Sequence, residues 1–360
     1  MELTVERDKT LITHGPAALT PIEGRGRCLG AELTIGRCLT IRRFKALPAY
    51  CITQSRFDVK LGTSASLEEV EGDTIPEDWK TAARTIIEAS KTRGGLTVAI
   101  LGAVDTGKST FTIFLANTAL QATLKVRIID ADLGQSDIGP PTTIGEYSMK
   151  HEVYDLFRET PDSLTFIGAT SPAHAAGKML TSLSELSKSA KAEGGLNIVN
   201  TDGWVEGEEA VQYKLNLIYA INPNFIVAVK YADELNPLLE KIRSPDYGLI
   251  TIKTPTVVRR RNREERRELR EQAYLKYLQN STLRIIPYKQ LKVRGEPLWQ
   301  RGTLLGLYGE EGRLLGVGTL LEYDPARELV KIMTPVKGNI TGLEFGQVII
   351  ENGREAPADI

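Results

Sequence analysis

The sequence predicts an α/β protein: a central domain with a mostly parallel sheet, flanked by small N-terminal and C-terminal β domains. Three observations predict it. Over 76–284, apolar runs of strand length alternate with amphipathic stretches, the pattern of a parallel sheet covered on both faces. On either side, short β-prone runs are broken by Gly and Pro at intervals of about 8–12 residues, as in small all-β modules. The chain has 360 residues, enough for two or three domains with at least one large core.

The elements follow in order. In the N-terminal β domain, 1–75, the runs 32–35, 38–41 and 50–53 read as strands. Gly72-Asp73-Thr74-Ile75-Pro76-Glu77-Asp78 reads as a linker ending in a helix cap, after which Trp79, Ala82, Ala83, Ile86 and Ile87 recur at helical spacing. In the central domain, 76–284, strands are expected over 96–101, 126–131, 164–167, 196–200, 225–229 and 249–252. Helices are expected over 108–120, 173–192 and 208–221. In the C-terminal β domain, 285–360, helices stop and short strands are separated by Glu310-Glu311-Gly312, Asp324-Pro325-Ala326 and Lys337-Gly338-Asn339.

Composition narrows the chemistry. Cys28, Cys38 and Cys51 form no CxxC pair, and His14, His151 and His174 are scattered, which argues against zinc catalysis and a Cys–His nucleophile. With 45 Lys and Arg against 46 Asp and Glu, a polyanion can bind only at a local basic patch. No apolar run approaches the roughly 20 residues that span a bilayer. The N-terminus, Met1-Glu2-Leu3-Thr4-Val5-Glu6, lacks the basic-then-apolar pattern of a signal peptide. The expectation is a soluble cytoplasmic protein without membrane attachment.

The sharpest local signal is Gly102-Ala103-Val104-Asp105-Thr106-Gly107-Lys108-Ser109-Thr110, which fits G-x-x-x-x-G-K-[ST] in full. It follows an apolar strand and opens an amphipathic helix. Gly102 and Gly107 let backbone wrap closely around phosphate oxygens, with loop amides and the positive helix terminus facing the anion. Lys108 then reaches the β/γ-phosphates of ATP or another NTP, and the Ser109 hydroxyl holds Mg²⁺. The alternative is a strand–turn–helix whose glycines serve only the turn.

The next strand, over 126–131, runs into Asp130 and Asp132, where a P-loop fold carries its Walker B acid. Side chains alternate along a strand, so the two carboxylates can point the same way. One, assigned to Asp130, can support the metal's water shell; the other can accept the proton of an attacking hydroxyl. Either Asp could instead cap the following turn.

These residues resemble one family: the polynucleotide 5′-hydroxyl kinases that include the kinase subunit of the eukaryotic mRNA cleavage factor, rRNA-processing kinases and their archaeal counterparts. The resemblance rests on the P-loop, on Asp132-Leu133-Gly134-Gln135, on Phe166-Ile167-Gly168-Ala169-Thr170-Ser171-Pro172, and on Asn200-Thr201-Asp202-Gly203-Trp204-Val205-Glu206-Gly207. It implies transfer of the γ-phosphate of ATP to the 5′-hydroxyl of single-stranded RNA or DNA. By resemblance, Asp132 is the general base, Gln135 lies beside the substrate, Thr170 or Ser171 contacts its terminal phosphodiester, and Trp204 stacks on a base. An indole suits that last task, since it stacks on any base without reading it; otherwise Trp204 is a core residue.

The run Arg259-Arg260-Arg261-Asn262-Arg263-Glu264-Glu265-Arg266-Arg267-Glu268-Leu269-Arg270 is the densest positive cluster. It is either a solvated helix laced with i, i+4 pairs or, by resemblance, a lid near 259–278 over the nucleotide. The family's arginine spacing selects Arg261, Arg266 and Arg270, the first two beside the transferring phosphoryl group and the third on the nucleotide. Planar guanidinium groups grip phosphate oxygens bidentately. The choice among Arg259, Arg260 and Arg261 stays open.

Three other readings compete. A switch GTPase needs an Asn/Thr-Lys-x-Asp element, and Val229-Lys230-Tyr231-Ala232-Asp233 departs from it. A non-catalytic assembly subunit of an RNA-processing complex could hold ATP as a structural ligand, with protein partners. A small-molecule kinase is the third.

Overall fold

A computed structural model describes residues 1–242, 247–351 and 353–356. The described chain gathers into two compact units, each built from separated stretches. The first comprises Met1–Ile129, Ser148–Arg158 and Leu183–Glu265; the second comprises Asp130–Tyr147, Glu159–Ser182 and Arg266–Ile360.

The first unit begins with two antiparallel sheets. One runs in the order Glu2–Val5, Ser55–Leu61, Ala17–Glu23, Leu39–Ile41; the other in the order Ala31–Glu32, Gly26–Cys28, Ala46–Cys51, Lys9–His14, Ser66–Glu71. Ala17–Glu23, Ala46–Cys51 and Ser55–Leu61 alternate buried and less buried positions, the period-two signature of a sheet with one face inward. Expectation and structure part at 32–35. Only Ala31–Glu32 pairs as a strand. The Arg37 amide then bonds Thr34 O at 3.1 Å, turning the chain at Gly36, whose φ is +79°.

The same unit carries the phosphate-loop sheet. Val126–Ala131, Gly195–Thr201, Gly95–Gly102, Phe225–Lys230 and Gly248–Lys253 are neighbours in that order. Gly95–Gly102 pairs in parallel with Gly195–Thr201 and Phe225–Lys230, and Phe225–Lys230 pairs in parallel with Gly248–Lys253. The inner strands read as continuous apolar runs because both faces are covered, and Val98–Leu101 are fully buried. Helix Glu77–Arg93 starts with Glu77 and Asp78 in its first turn and ends at Gly94 in the left-handed conformation. Its Trp79 is fully buried, donates its indole N–H to Lys253 O at 2.8 Å, and meets Phe111 edge-on at 5.2 Å. That contact locks the first helix against the phosphate-loop helix, Lys108–Gln121.

In the second unit, Thr143–Ser148 pairs antiparallel with Ser163–Phe166. The sequence reading had no strand at 143–148. The C-terminal sheet runs in the order Thr282–Pro287, Leu329–Thr334, Leu314–Asp324, Thr303–Tyr308, Gly342–Glu351, Lys292–Arg294, with Arg354–Ala356 added to Gly342–Glu351. Leu305, Leu307, Leu320, Val330, Ile332 and Leu343 form its core. Trp299 stacks on Tyr323 at 4.2 Å beside that core. No α-helix follows Leu278 among the described residues. None of their helices is long and apolar enough to cross a membrane.

Candidate active site

Asp105, Thr106 and Gly107 turn the chain sharply between Gly95–Gly102 and Lys108–Gln121. Asp105 has φ +58° and Gly107 φ +100°, the left-handed region that Gly adopts freely and Asp tolerates. A Cβ at Gly102 would stand 2.6 Å from Thr106 Oγ1 and 2.8 Å from Val229 O, so the first glycine is required by close approach. Thr106 Oγ1 donates to Ala103 O at 2.9 Å, and Lys108 Nζ donates to the same carbonyl at 2.8 Å. The loop is thus prefolded, with the lysine folded over it. Ser109 and Thr110 lie in the helix's first turn. Ser109 Oγ accepts from Asn200 Nδ2 at 3.3 Å.

Asn200 stands opposite Ile100 in the parallel register, so the segment after Gly195–Thr201 emerges beside the phosphate loop. Ligands of open α/β sheets bind at such carboxyl ends. Gly203 lies against that loop: a Cβ there would meet Val104 N at 2.8 Å and Val104 Cγ2 at 2.6 Å. Next to it, Trp204 is half-buried and stacks on Tyr213 at 5.5 Å. Asp202 organises this turn. Its Oδ1 accepts the Trp204 amide at 2.9 Å, while Oδ2 accepts from Tyr213 OH at 3.2 Å and faces Lys214 Nζ at 2.8 Å. The Lys214 and Asp202 side chains are 0% and 5% exposed, a buried ion pair beneath the tryptophan.

The arginine run separates into individual roles. Arg261 donates from its amide to Asp105 Oδ2 and from Nη1 to Asp105 Oδ1, each at 2.9 Å, and from Nε to Phe44 O at 2.9 Å. Arg259 lies over the Phe44 ring at 5.3 Å and pairs with Glu265 at 3.0 Å. Arg260 lies over Tyr231 at 4.2 Å. Of the three, Arg261 is the one bonded to the phosphate loop. Asn262 and Glu265 close a reciprocal capping box: Asn262 Oδ1 accepts the Glu265 amide at 2.9 Å, and Glu265 Oε2 accepts the Asn262 amide at 3.0 Å. The Asn262 amide is the largest influence and holds the Glu265 carboxyl below its ordinary range; burial pushes it up by less, and the Arg259 guanidinium adds to the lowering. Helix Arg263–Leu278 begins there.

In the second unit, Asp130 Oδ2 accepts the amides of Asp137 at 2.6 Å and Ile138 at 3.1 Å, and the Ser136 hydroxyl at 3.2 Å. Asp132 Oδ1 accepts the amides of Gly134 at 3.2 Å and Gln135 at 3.0 Å. Both acids are therefore engaged in turn geometry, the local role that competes with chemistry for each. Gln135 Nε2 donates to Gly134 O at 2.8 Å and Arg266 O at 3.2 Å. A Cβ at Gly134 would stand 2.9 Å from Thr170 O, so the loop bearing Thr170 and Ser171 passes directly over this turn. Ser171 Oγ accepts the Ala173 amide at 3.3 Å and caps the short turn Pro172–His174. The Gln347 amide donates to Gly168 O at 2.7 Å and fixes the loop's other end to the C-terminal sheet. The unit thus gathers Asp132, Gln135, Thr170, Ser171 and the Arg266 backbone. Arg270 lies elsewhere in it, paired with Glu355 at 2.6 Å.

Asp202, Tyr213, Lys214 and Phe44 were not singled out from the sequence. Asp202 stands in the Asn200–Gly207 element, where nothing in the sequence marks it apart from its neighbours. Lys214 sits in the amphipathic helix Glu208–Ile221, where a lysine ordinarily faces water.

Residues 102–280 match the family model described as mRNA cleavage and polyadenylation factor CLP1 P-loop. A polyribonucleotide 5′-hydroxyl-kinase of Pyrococcus abyssi is 33% identical over 353 residues, covering 81% of this chain and 97% of the relative. A protein of the same name from Pyrococcus horikoshii is 28% identical over 358 residues, covering 82% of this chain and 96% of the relative. The solved structure of wild-type Clp1p in complex with Pcf11p shares the fold, with a TM-score of 0.75 at 13% identity over 96% of this chain and 97% of that one. A nucleotide-binding P-loop, identity above 30% along most of the chain and the shared fold agree: the protein belongs to the CLP1-type P-loop family of polynucleotide 5′-hydroxyl kinases.

Proposed function

We propose that this protein transfers the γ-phosphate of ATP, or of another NTP, to the 5′-hydroxyl of single-stranded RNA or DNA inside the cell. Residues 76–284 are the kinase domain in this reading, with the lid near 259–278, between β domains over 1–75 and 285–360. The observation that carries it is the clustering at the phosphate loop. Lys108, the Trp204 turn and Arg261 all contact the loop or its flanks.

In this mechanism Gly102, Asp105, Thr106, Gly107, Ser109 and Thr110 cradle the polyphosphate, and Lys108 swings from Ala103 O to its β/γ oxygens. Asp132 orients the 5′-hydroxyl and takes its proton. Trp204 stacks on a base near that end, Gln135 lies beside the sugar, and Thr170 or Ser171 bonds the first phosphodiester. Arg261 and Arg266 neutralise charge on the transferring group, and Arg270 supports the nucleotide. The donor set fits Mg²⁺, a hard cation that takes oxygen ligands: Ser109 would hold it and Asp130 would order its water shell. The ion would supply charge neutralisation between the β- and γ-phosphates.

The test is an assay with γ-labelled ATP, Mg²⁺ and matched RNA and DNA oligonucleotides bearing either a 5′-hydroxyl or a 5′-phosphate. Label on the 5′-hydroxyl substrates alone is expected. Retained ATP with no transfer would instead mean a non-catalytic assembly subunit with protein partners in RNA processing.

A further inference from the structure

A cavity of about 460 Å³ opens in the first unit where the N-terminal β module meets helices Glu77–Arg93 and Lys108–Gln121. It is remote from phosphate transfer. Its wall includes Thr118, which lies about 15 Å along the helix axis from Lys108. The volume suits a ligand pocket, about 300–1,000 Å³. Leu29, Ile52 and Ile87 give it an aliphatic floor. Arg27, Arg84 and Lys91 stand around it exposed, and their side chains make no hydrogen bond or ion pair among the described residues. Lys80 on the same rim pairs with Asp73 at 2.8 Å, which leaves Glu88 as the one further acid against three cations.

A scattered surface lysine is ordinarily just solvated. Three cations converging on an apolar hollow are different, because each can pair with a ligand whose body fills the floor. We propose that this cavity docks an acidic peptide segment of a partner protein, anchored by an aliphatic side chain, with Asp or Glu residues on Arg27, Arg84 and Lys91. Arginine forks match carboxylates bidentately, and the positive rim disfavours basic segments. The lining argues against single-stranded nucleic acid, which needs open aromatic faces for stacking. Phe114 is buried, and the Tyr50 hydroxyl is held by Asp8 at 3.0 Å.

The full-length protein is used to select from a displayed library of random 12-residue peptides, with counter-selection on Arg84→Glu/Lys91→Glu. Recovered peptides are expected to carry Leu, Ile or Val flanked by Asp and Glu. By fluorescence anisotropy they should bind the unaltered protein at least tenfold more tightly than the double variant, and more tightly than Arg27→Glu. Changing their aliphatic residue to Ser should abolish binding. ATP binding and kinase activity should be the same in the variants as in the unaltered protein. A selection that yields no peptide distinguishing the two proteins would overturn the proposal. So would displacement of the selected peptides by a 5′-phosphorylated RNA oligonucleotide, which would assign the cavity to nucleic acid.

Discussion

Arg261 occupies both carboxylate oxygens of Asp105, so the arginine run is held by the phosphate loop itself. The two side chains are 18% and 6% exposed, and the pair is largely desolvated. Removing one partner strands a buried charge, whereas removing both strands none. Arg261→Ala should therefore destabilise the protein more than Asp105→Asn/Arg261→Ala. A double-mutant cycle by denaturant unfolding should give a coupling of about 1–3 kcal/mol. Coupling near zero would show that the pair is incidental. In turnover, Arg261→Lys should lower kcat at least tenfold, because an ammonium cannot reproduce the two guanidinium bonds to Asp105 Oδ1 and Phe44 O.

In the proposed mechanism Asp132 performs two tasks that a single substitution can separate. Its Oδ1 holds the turn through the amides of Gly134 and Gln135. Asparagine keeps that acceptor but cannot take a proton from a 5′-hydroxyl. Asp132→Asn should therefore retain Tm within about 1 °C, a shift under about 1 kcal/mol, and lose about 10²–10⁴-fold in kcat, the usual share of a general base. Asp132→Ala should lose both. Near-normal turnover in the asparagine variant would remove the base from this residue.

How far the sequence carries depends on whether one residue type is physically forced. The phosphate loop was legible because close approach and positive φ restrict Gly102 and Gly107, whatever packs around them. The strand Thr143–Ser148 was not, because Thr-Ile-Gly-Glu-Tyr-Ser has neither an apolar run nor a clean alternation. It forms by pairing with Ser163–Phe166, a relationship between distant segments. Conversely, 32–35 has β-prone composition, yet the turn at Gly36 takes its backbone bonds. Within the site, Arg259, Arg260 and Arg261 are one residue type in one run, and only the placement of Phe44, Tyr231 and Asp105 separates them. The Asp202–Lys214 pair was invisible for the same reason: burial of a helix lysine is decided by what lies above it.

That buried pair supports Trp204, and its loss should be felt in two different measurements. Lys214→Met leaves the Asp202 carboxylate uncompensated and should cost about 3–5 kcal/mol of stability in chemical denaturation. Trp204→Ala leaves the pair intact and removes only the stacking surface. It should raise KM for the oligonucleotide about 5- to 100-fold, corresponding to about 1–3 kcal/mol, with ATP affinity unchanged. An unaltered KM would take Trp204 out of the substrate site.

Glu265 gives helix Arg263–Leu278 a pH dependence with a definite sign. Its carboxyl is held below the ordinary glutamate value of 4.5 by the Asn262 amide and by Arg259. A group whose folded pKa is depressed contributes stability above its unfolded value and loses it as pH falls through the folded one. The capping box should thus be intact above pH 4.5 and open progressively below it. The amide resonance of Asn262, followed by NMR between neutral and acid pH, should stay constant until that point and then move toward its unfolded position. In Glu265→Gln the same resonance should not titrate in this window, since a neutral amide can still accept the Asn262 N–H. An Asn262 resonance that moves identically in both proteins would place the acid response elsewhere in the helix.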